Sequence, residues 1–509
     1  MKILITLATL LIFSTSAFAQ TLEDRIKALE EALKRQEQTI QEQQKLIEEL
    51  KTEIKATKPS EQPVAARPKE TPPSEPSKAS MIEKAKEILL PKEGEPKKDI
   101  LSYQAGGTTL KLIDISLDAL VAAGGSTVRD PELGTLQGGG HDPRKRGFTV
   151  QNVELSLMGA VDPYFTGEVH LIYFLDPIEG ESQFELEEAF LTTQRLPFGL
   201  QLEAGHFFTE FGRINPQHPH QWHWQDQPII NTRLFGADGM RGPGFRLGWL
   251  TPLPWFSEFH FGMQNANGET MASFLANGEF FEERAIGGRP FVDRDVRSLK
   301  DFAYLARWDN SWELSDEWTM KMGLSGLLGP NATGPDGKTW IYGADMKLKW
   351  RPVNHFRGWP FLLFEGEIMK RDYTADRFFN PGPDGVFITG DEIILGRNTL
   401  EDWGFYTQLL YGFRKNWTTG LRYEYASGSG NNVNVDLAAG TIELVRRNSD
   451  PFRDDRYRIS PLVAWHPTEF SRFRLQYNYD RLKAFRERDA HSVWLGFEFM
   501  FGAHAAHKY

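Results

Sequence analysis

Three histidines crowd into one short stretch of the sequence: His218, His220 and His223. Asp226 follows them and His206 precedes them. Imidazole and carboxylate together suit Zn, Cu or Ni. The spacing matches no recognised ligand motif, and Pro219 separates the first two histidines. A loop with solvated or hydrogen-bonded histidines is therefore the competing reading. A divalent metal at His218, His220 and His223 is the one cofactor candidate, and none is otherwise expected. The absence of cysteine removes thiolate ligands and disulfides and fits export through an oxidising compartment. No Ser/His/Asp arrangement can be assembled. The Gly337-Lys338-Thr339 run lacks the first glycine of a phosphate loop. Enzyme activity and nucleotide chemistry are not expected.

A second set of active groups alternates with apolar ones. Arg472, Arg474, Gln476, Asn478 and Asp480 alternate with Phe473, Leu475, Tyr477 and Tyr479. Gly343, Asp345, Lys347 and Lys349 likewise alternate with Trp340, Tyr342, Ala344, Met346, Leu348 and Trp350. Such alternation is a strand with two unlike faces. An Arg or Lys at the bilayer midplane on a lipid-facing surface costs about 2–4 kcal/mol, so the charged face must point into a lumen. The inward charges are uneven along the chain. Early segments supply Asp114, Asp118, Glu154, Glu168, Glu185, Glu187 and Glu203. Later ones supply Arg307, Lys321, Lys347, Lys349, Arg422, Arg458, Arg472 and Arg474. Either a transverse field crosses the lumen, or these charges are paired and screened. Glu365, Glu367, Glu424 and Asp480 on the basic side argue for pairing.

The elements that hold these residues form an all-β transmembrane barrel. Sixteen strands are expected at 108–120, 148–160, 164–175, 184–193, 200–208, 240–250, 256–264, 301–312, 318–328, 339–350, 360–370, 402–413, 417–426, 456–466, 470–479 and 491–501. Seven short turns alternate with eight mostly longer polar connections, as an antiparallel barrel with both ends on one side requires. A soluble β-sandwich or propeller would not impose that alternation. The 36 Phe and 14 Trp suit aromatic girdles. The third long loop, 209–239, carries the histidines and has the Pro, Gly and aromatic content of a compact segment that could narrow the lumen. A lumen of sixteen strands is wide enough for water.

Before the barrel, residues 1–19 have the features of a cleaved signal peptide: Lys2, the apolar Ile3 to Phe13, and Ala17-Phe18-Ala19. Residues 20–56 form an α-helical coiled coil. Ile26, Leu33, Ile40, Ile47 and Ile54 occupy one heptad position, and Leu22, Leu29, Gln36, Gln43 and Leu50 the other. Residues 57–80 are a Pro-rich linker, 81–107 a short helix and lead-in, 108–501 the barrel and 502–509 a periplasmic tail. The formal charge of −11 argues against a nucleic-acid partner.

Signal peptide, coiled coil and sixteen-stranded barrel together resemble the phosphate-selective porin O and P superfamily. The stretches FFTEFGRINPQHPHQW and QPIINTRLFGADGMRGPG are similar to a subgroup often labelled zinc-regulated or TonB-dependent outer-membrane receptors. The resemblance implies an outer-membrane porin of a Gram-negative-type bacterium: a water-filled, trimeric channel for passive diffusion of small ions and solutes, its coiled coil in the periplasm. A gated receptor is not expected, since no plug-sized segment precedes the first strand. Alternatives are an anchor tethered to the cell wall through the coiled coil, which would reach about 54 Å, and a zinc-related transport protein.

Overall fold

The computed structural model describes residues 102–502 apart from 106–107, 112, 177–179, 383, 387–391, 437–440, 446–451 and 484–488. The signal peptide, coiled coil, Pro-rich linker, helix at 81–90 and residues 503–509 of the tail lie outside the described residues.

Sixteen strands close into one antiparallel barrel. They are β1 Asp114–Ser126, β2 Gly147–Ala160, β3 Phe165–Leu175, β4 Ser182–Thr193, β5 Leu200–Phe208, β6 Arg241–Leu250, β7 Phe256–Asn265 and β8 Phe302–Glu313, then β9 Trp318–Pro330, β10 Lys338–Trp350, β11 Phe361–Ala375, β12 Asn398–Arg414, β13 Trp417–Ser429, β14 Arg456–Thr468, β15 Ser471–Leu482 and β16 Asp489–Gly502. Each pairs with the next, and β16 pairs with β1 from Ser492↔Ser126 to Gly502↔Ser116.

The first strand departs from the expected 108–120. Thr108–Lys111 instead pairs with Ser102–Ala105 in a separate hairpin. The barrel strand starts at Asp114 and runs on through Ala122, Ala123, Gly124 and Gly125, a stretch whose glycines suggested a loop. The seam needs the glycine at 124. A Cβ at Gly124 would collide with the Val493 carbonyl oxygen and the buried Trp494 ring. Gly124→Val is expected to destabilise closure by about 1–3 kcal/mol. Its compact band on unheated gels should convert to the unfolded form at a lower temperature than that of the wild type.

Other strands outrun their expected ends. β11 reaches Ala375 and β12 begins at Asn398, and their ladder runs past the buried Arg371–Asp402 pair, at 2.6 Å, to Ala375↔Asn398. Beyond them Phe378–Asn380 pairs with Ile393–Leu395, and Asn432–Asp436 pairs with Thr441–Val445, as small hairpins.

The two faces of the wall differ in chemistry. On the outside, Leu324, Ile368, Leu409, Leu421, Leu475 and Leu495 are each at least 44% exposed. Stacked rings run along the short-turn end: Trp417–Trp465 at 6.0 Å, Trp465–Phe473 at 5.5 Å and Phe473–Phe497 at 4.6 Å. Trp403–Tyr425 and Tyr457–Tyr479 mark the long-loop end. On the inside, Arg474, Gln476, Asn478 and Asp480 are buried, as the alternation requires. The lumen is not an open tube. Its apolar core is made by the loops within it, where Phe211, Ile230, Leu234 and Phe235 pack with Met271, Phe274, Leu305 and Ile341.

Candidate functional site

The loop between β5 and β6 is tied at its neck. Asn215 donates from Nδ2 to the Thr209 and Met240 carbonyls at 2.7 and 3.0 Å. Its Oδ1 accepts from the Met240 amide at 2.8 Å. Gly212, at φ +63°, turns the chain inward, where a side chain would meet Glu367. The loop then crosses the lumen. Trp224 packs against Leu363, Leu410 and Leu462 and donates from Nε1 to the Ser460 carbonyl at 3.0 Å. Pro228 sets extended backbone before a short helix, α1 Ile229–Phe235. The Ile229 amide donates to Glu424 at 2.6 Å.

Asp226 is the hub of this crossing. Its carboxylate accepts from Arg422, from Arg458 at 3.0 Å, from Gln476 at 2.8 Å and from Asn478 at 2.7 Å. Gln137, reaching in from the first long loop, adds a fifth donor at 3.1 Å. Burial opposes ionisation, but Arg422 and Arg458 outweigh it and hold this carboxyl well below the ordinary aspartate range. Asp226 is thus committed to arginine and does not join the histidines.

The lumen charges are largely paired. Arg307 binds Asp309 and Asp345, each at 2.7 Å. Arg422 also reaches Glu424 at 2.7 Å. Arg458 reaches Asp480 at 2.8 Å. Arg472 binds Glu498, and Arg474 does so at 3.1 Å. A plain field between an acidic and a basic wall is therefore not what the loop-filled part of the lumen contains.

Asymmetry persists in two cavities near the short-turn end. The larger, about 530 Å³, is lined by Lys347, Lys349, Arg351 and Arg472 together with Glu365 and Glu498. Among the described residues, neither Lys347 nor Lys349 has an ion-pair partner within 4 Å. His223 lies here, and burial pushes its imidazole down to about 4. The smaller, about 270 Å³, is lined by Asp118, Glu154, Glu168, Glu188, His170 and His218 among others. Asp114 begins β1 on the same alternation as Asp118. His220 and Gln221 line both cavities.

The sequence trio is therefore split, with His218 on the acidic side, His223 on the basic side and His220 between the two cavities. His206 is not among the residues lining either cavity. His218 meets partners that sequence spacing did not bring to it. Its Nδ1 lies 3.3 Å from Glu154 and 2.7 Å from Glu187, and its Nε2 lies 2.8 Å from Glu188. His170 Nδ1 is 3.0 Å from Glu154, and His220 Nδ1 is 3.1 Å from it. Burial lowers the His218 pKa, but Glu154 and Glu187 reverse that and raise it well above the usual histidine range. Strand register makes this cluster. Ser156 of β2 sits opposite His170 of β3, so Glu154 lies beside that histidine. Between β3 and β4 the pairing steps from His170↔Glu188 to Leu171↔Leu186. Glu187 is thus the extra residue of a β-bulge, and such bulges re-aim side chains. Both Glu187 and Glu188 are buried as a result. His170, Glu188 and Ser156 were not singled out from the sequence. The available signal was the same-face pairs Glu154/Ser156 and Glu168/His170, but the register that joins them is not readable from spacing.

No family model matches the chain. An uncharacterized protein of Aquifex aeolicus (strain VF5) is 27% identical over 441 residues, covering 80% of this chain and 82% of that one. Among solved structures, the outer membrane channel DcaP of Acinetobacter baumannii aligns with a TM-score of 0.47 at 10% identity, over 79% of this chain and 100% of that chain. Pseudomonas putida OprB aligns at 0.45 and 10% identity, over 77% and 94%. The anion-selective porin from Comamonas acidovorans gives 0.40 at 10% identity, over 77% and 99%.

Proposed function

We propose that this chain is an outer-membrane channel for passive diffusion of small ions and solutes, narrowed by loop 209–239. The observation that carries the reading is the contrast between the two faces of one closed wall. The outside is apolar with an aromatic belt towards each end, which is the surface a bilayer requires. The inside carries buried charge and two cavities with charged side chains in their walls. The packed loop favours a narrow passage over a wide pore. We place the chain as a homo-trimer with its coiled coil in the periplasm, in keeping with its resemblance to the phosphate-selective porin O and P superfamily. Phosphate as the solute is not part of the proposal.

Liposomes loaded with the purified full chain should swell in small sugars and amino acids, at rates that fall steeply with solute size. Correctly folded protein that gives no swelling would overturn the reading. Selectivity offers a second check. Lys347 and Lys349 line the larger cavity with no ion-pair partner among the described residues, so they bias it towards anions. Replacing both with Glu is expected to move the zero-current potential in a salt gradient towards cation selectivity. No movement would remove these lysines from the conduction route.

A further inference from the structure

The cluster at the smaller cavity has a composition that ion pairing alone does not balance. The nearest guanidinium groups are engaged elsewhere: Arg246 with Glu203 and Glu210, Arg241 with Glu185, and Arg472 with Glu498. Asp118, Glu154, Glu187 and Glu188 are left facing three imidazoles. Both carboxylate oxygens of Asp118 are buried without a hydrogen-bond partner, and this side chain lines the cavity. Glu187 Oε2 and His218 Nδ1 already form an ion pair at 2.7 Å.

The geometry points to a binding site for one divalent cation of borderline character, of the Zn²⁺, Co²⁺ or Ni²⁺ class, held by Glu154, His170 and His218. One ligand atom from each lies within 4.8 Å of the others. Tetrahedral zinc with bonds of about 2.0–2.1 Å sets its ligands roughly 3.3 Å apart. Glu154 Oε1 stands 3.0 Å from His170 Nδ1 and its Oε2 stands 3.3 Å from His218 Nδ1, so a rotation of this carboxylate brings one oxygen to both histidines. The outer contacts have the form that metal-bound histidines use, in which the second ring nitrogen meets a carboxylate. His218 Nε2 faces Glu188 at 2.8 Å, and His170 Nε2 faces Glu168 at 3.8 Å. Three protein ligands leave a position for water or solute, and the cavity supplies the room for it. Imidazole with carboxylate and no thiolate selects this class over Cu⁺. The site differs from the sequence trio. It keeps His218, places His220 at the rim and excludes His223.

The test uses the full chain, purified in detergent and stripped with a chelator. Calorimetric titration with ZnCl₂ should give one ion per chain. H170N and E154Q should each weaken binding at least about a hundredfold, the upper end of what outer-contact losses alone produce. H223A should leave it unchanged. Heat-modifiable migration on gels shows that each variant is folded. X-ray absorption at the zinc edge of the wild type needs no variant, and scattering from two imidazoles is expected. Absence of stoichiometric binding, retention of affinity in folded H170N, loss of binding in H223A, or an all-oxygen shell would each overturn the site. None of these readouts depends on ion current, so failure here leaves the channel reading standing.

Discussion

Asp226→Ala is expected to release loop 209–239 from the lumen wall and to raise single-channel conductance severalfold. The substitution removes one carboxylate and leaves Arg422 and Arg458 facing each other, both buried. Arg422 keeps Glu424 and Arg458 keeps Asp480, so the cost stays below the about 3–5 kcal/mol of a buried charge left with no partner. Here the loop can move, so the cost should appear as loss of the inward position rather than as unfolding of sixteen strands. Asp226→Asn retains the shape and part of the hydrogen bonding to Gln476 and Asn478, and should show a smaller effect. The clamp's pH response follows from the depressed carboxyl. A group whose folded pKa is lowered stabilises above its unfolded value and loses that contribution as pH falls through the folded one. Loop position should therefore survive mild acid and fail only well below the ordinary aspartate range. Unchanged conductance in a folded Asp226→Ala barrel would mean that the loop does not limit flow.

Leu475→Arg is expected to impair barrel assembly, at a cost of about 2–4 kcal/mol near the bilayer midplane. Leu475 is 52% exposed on the outer face, between Val463 and Leu495 on its neighbouring strands. In water a charge there would be nearly free. In lipid it must be desolvated or drawn to an interface. Leu475→Phe, which keeps the face apolar, should assemble normally. Urea titration of refolding into lipid vesicles measures the difference. Equal stability of the two variants would argue that this face meets water.

What the sequence made legible was set by local periodicity. The alternation of Phe473, Leu475, Tyr477 and Tyr479 with Arg474, Gln476, Asn478 and Asp480 fixed that strand's faces. β5 falls at its expected bounds. The first strand was misplaced because Gly124-Gly125 resembles a turn, whereas the glycine there makes room for Trp494 across the seam. The charge pairs were harder, since Asp226 finds Arg422 and Arg458 only through a loop crossing the lumen. Harder still was the cluster around Glu154. It depends on the register of β2 with β3 and on the bulge at Glu187, and neither leaves a mark in the spacing of histidines. His218 was recognisable by its neighbours in sequence, and His170 was not.

Planar-bilayer recording of the purified full chain, with Asp226→Ala alongside, tests the channel reading most directly. Discrete current steps are expected from the wild type, and steps severalfold larger from the variant. Protein that inserts as a folded, heat-modifiable barrel yet carries no current in either form would contradict it.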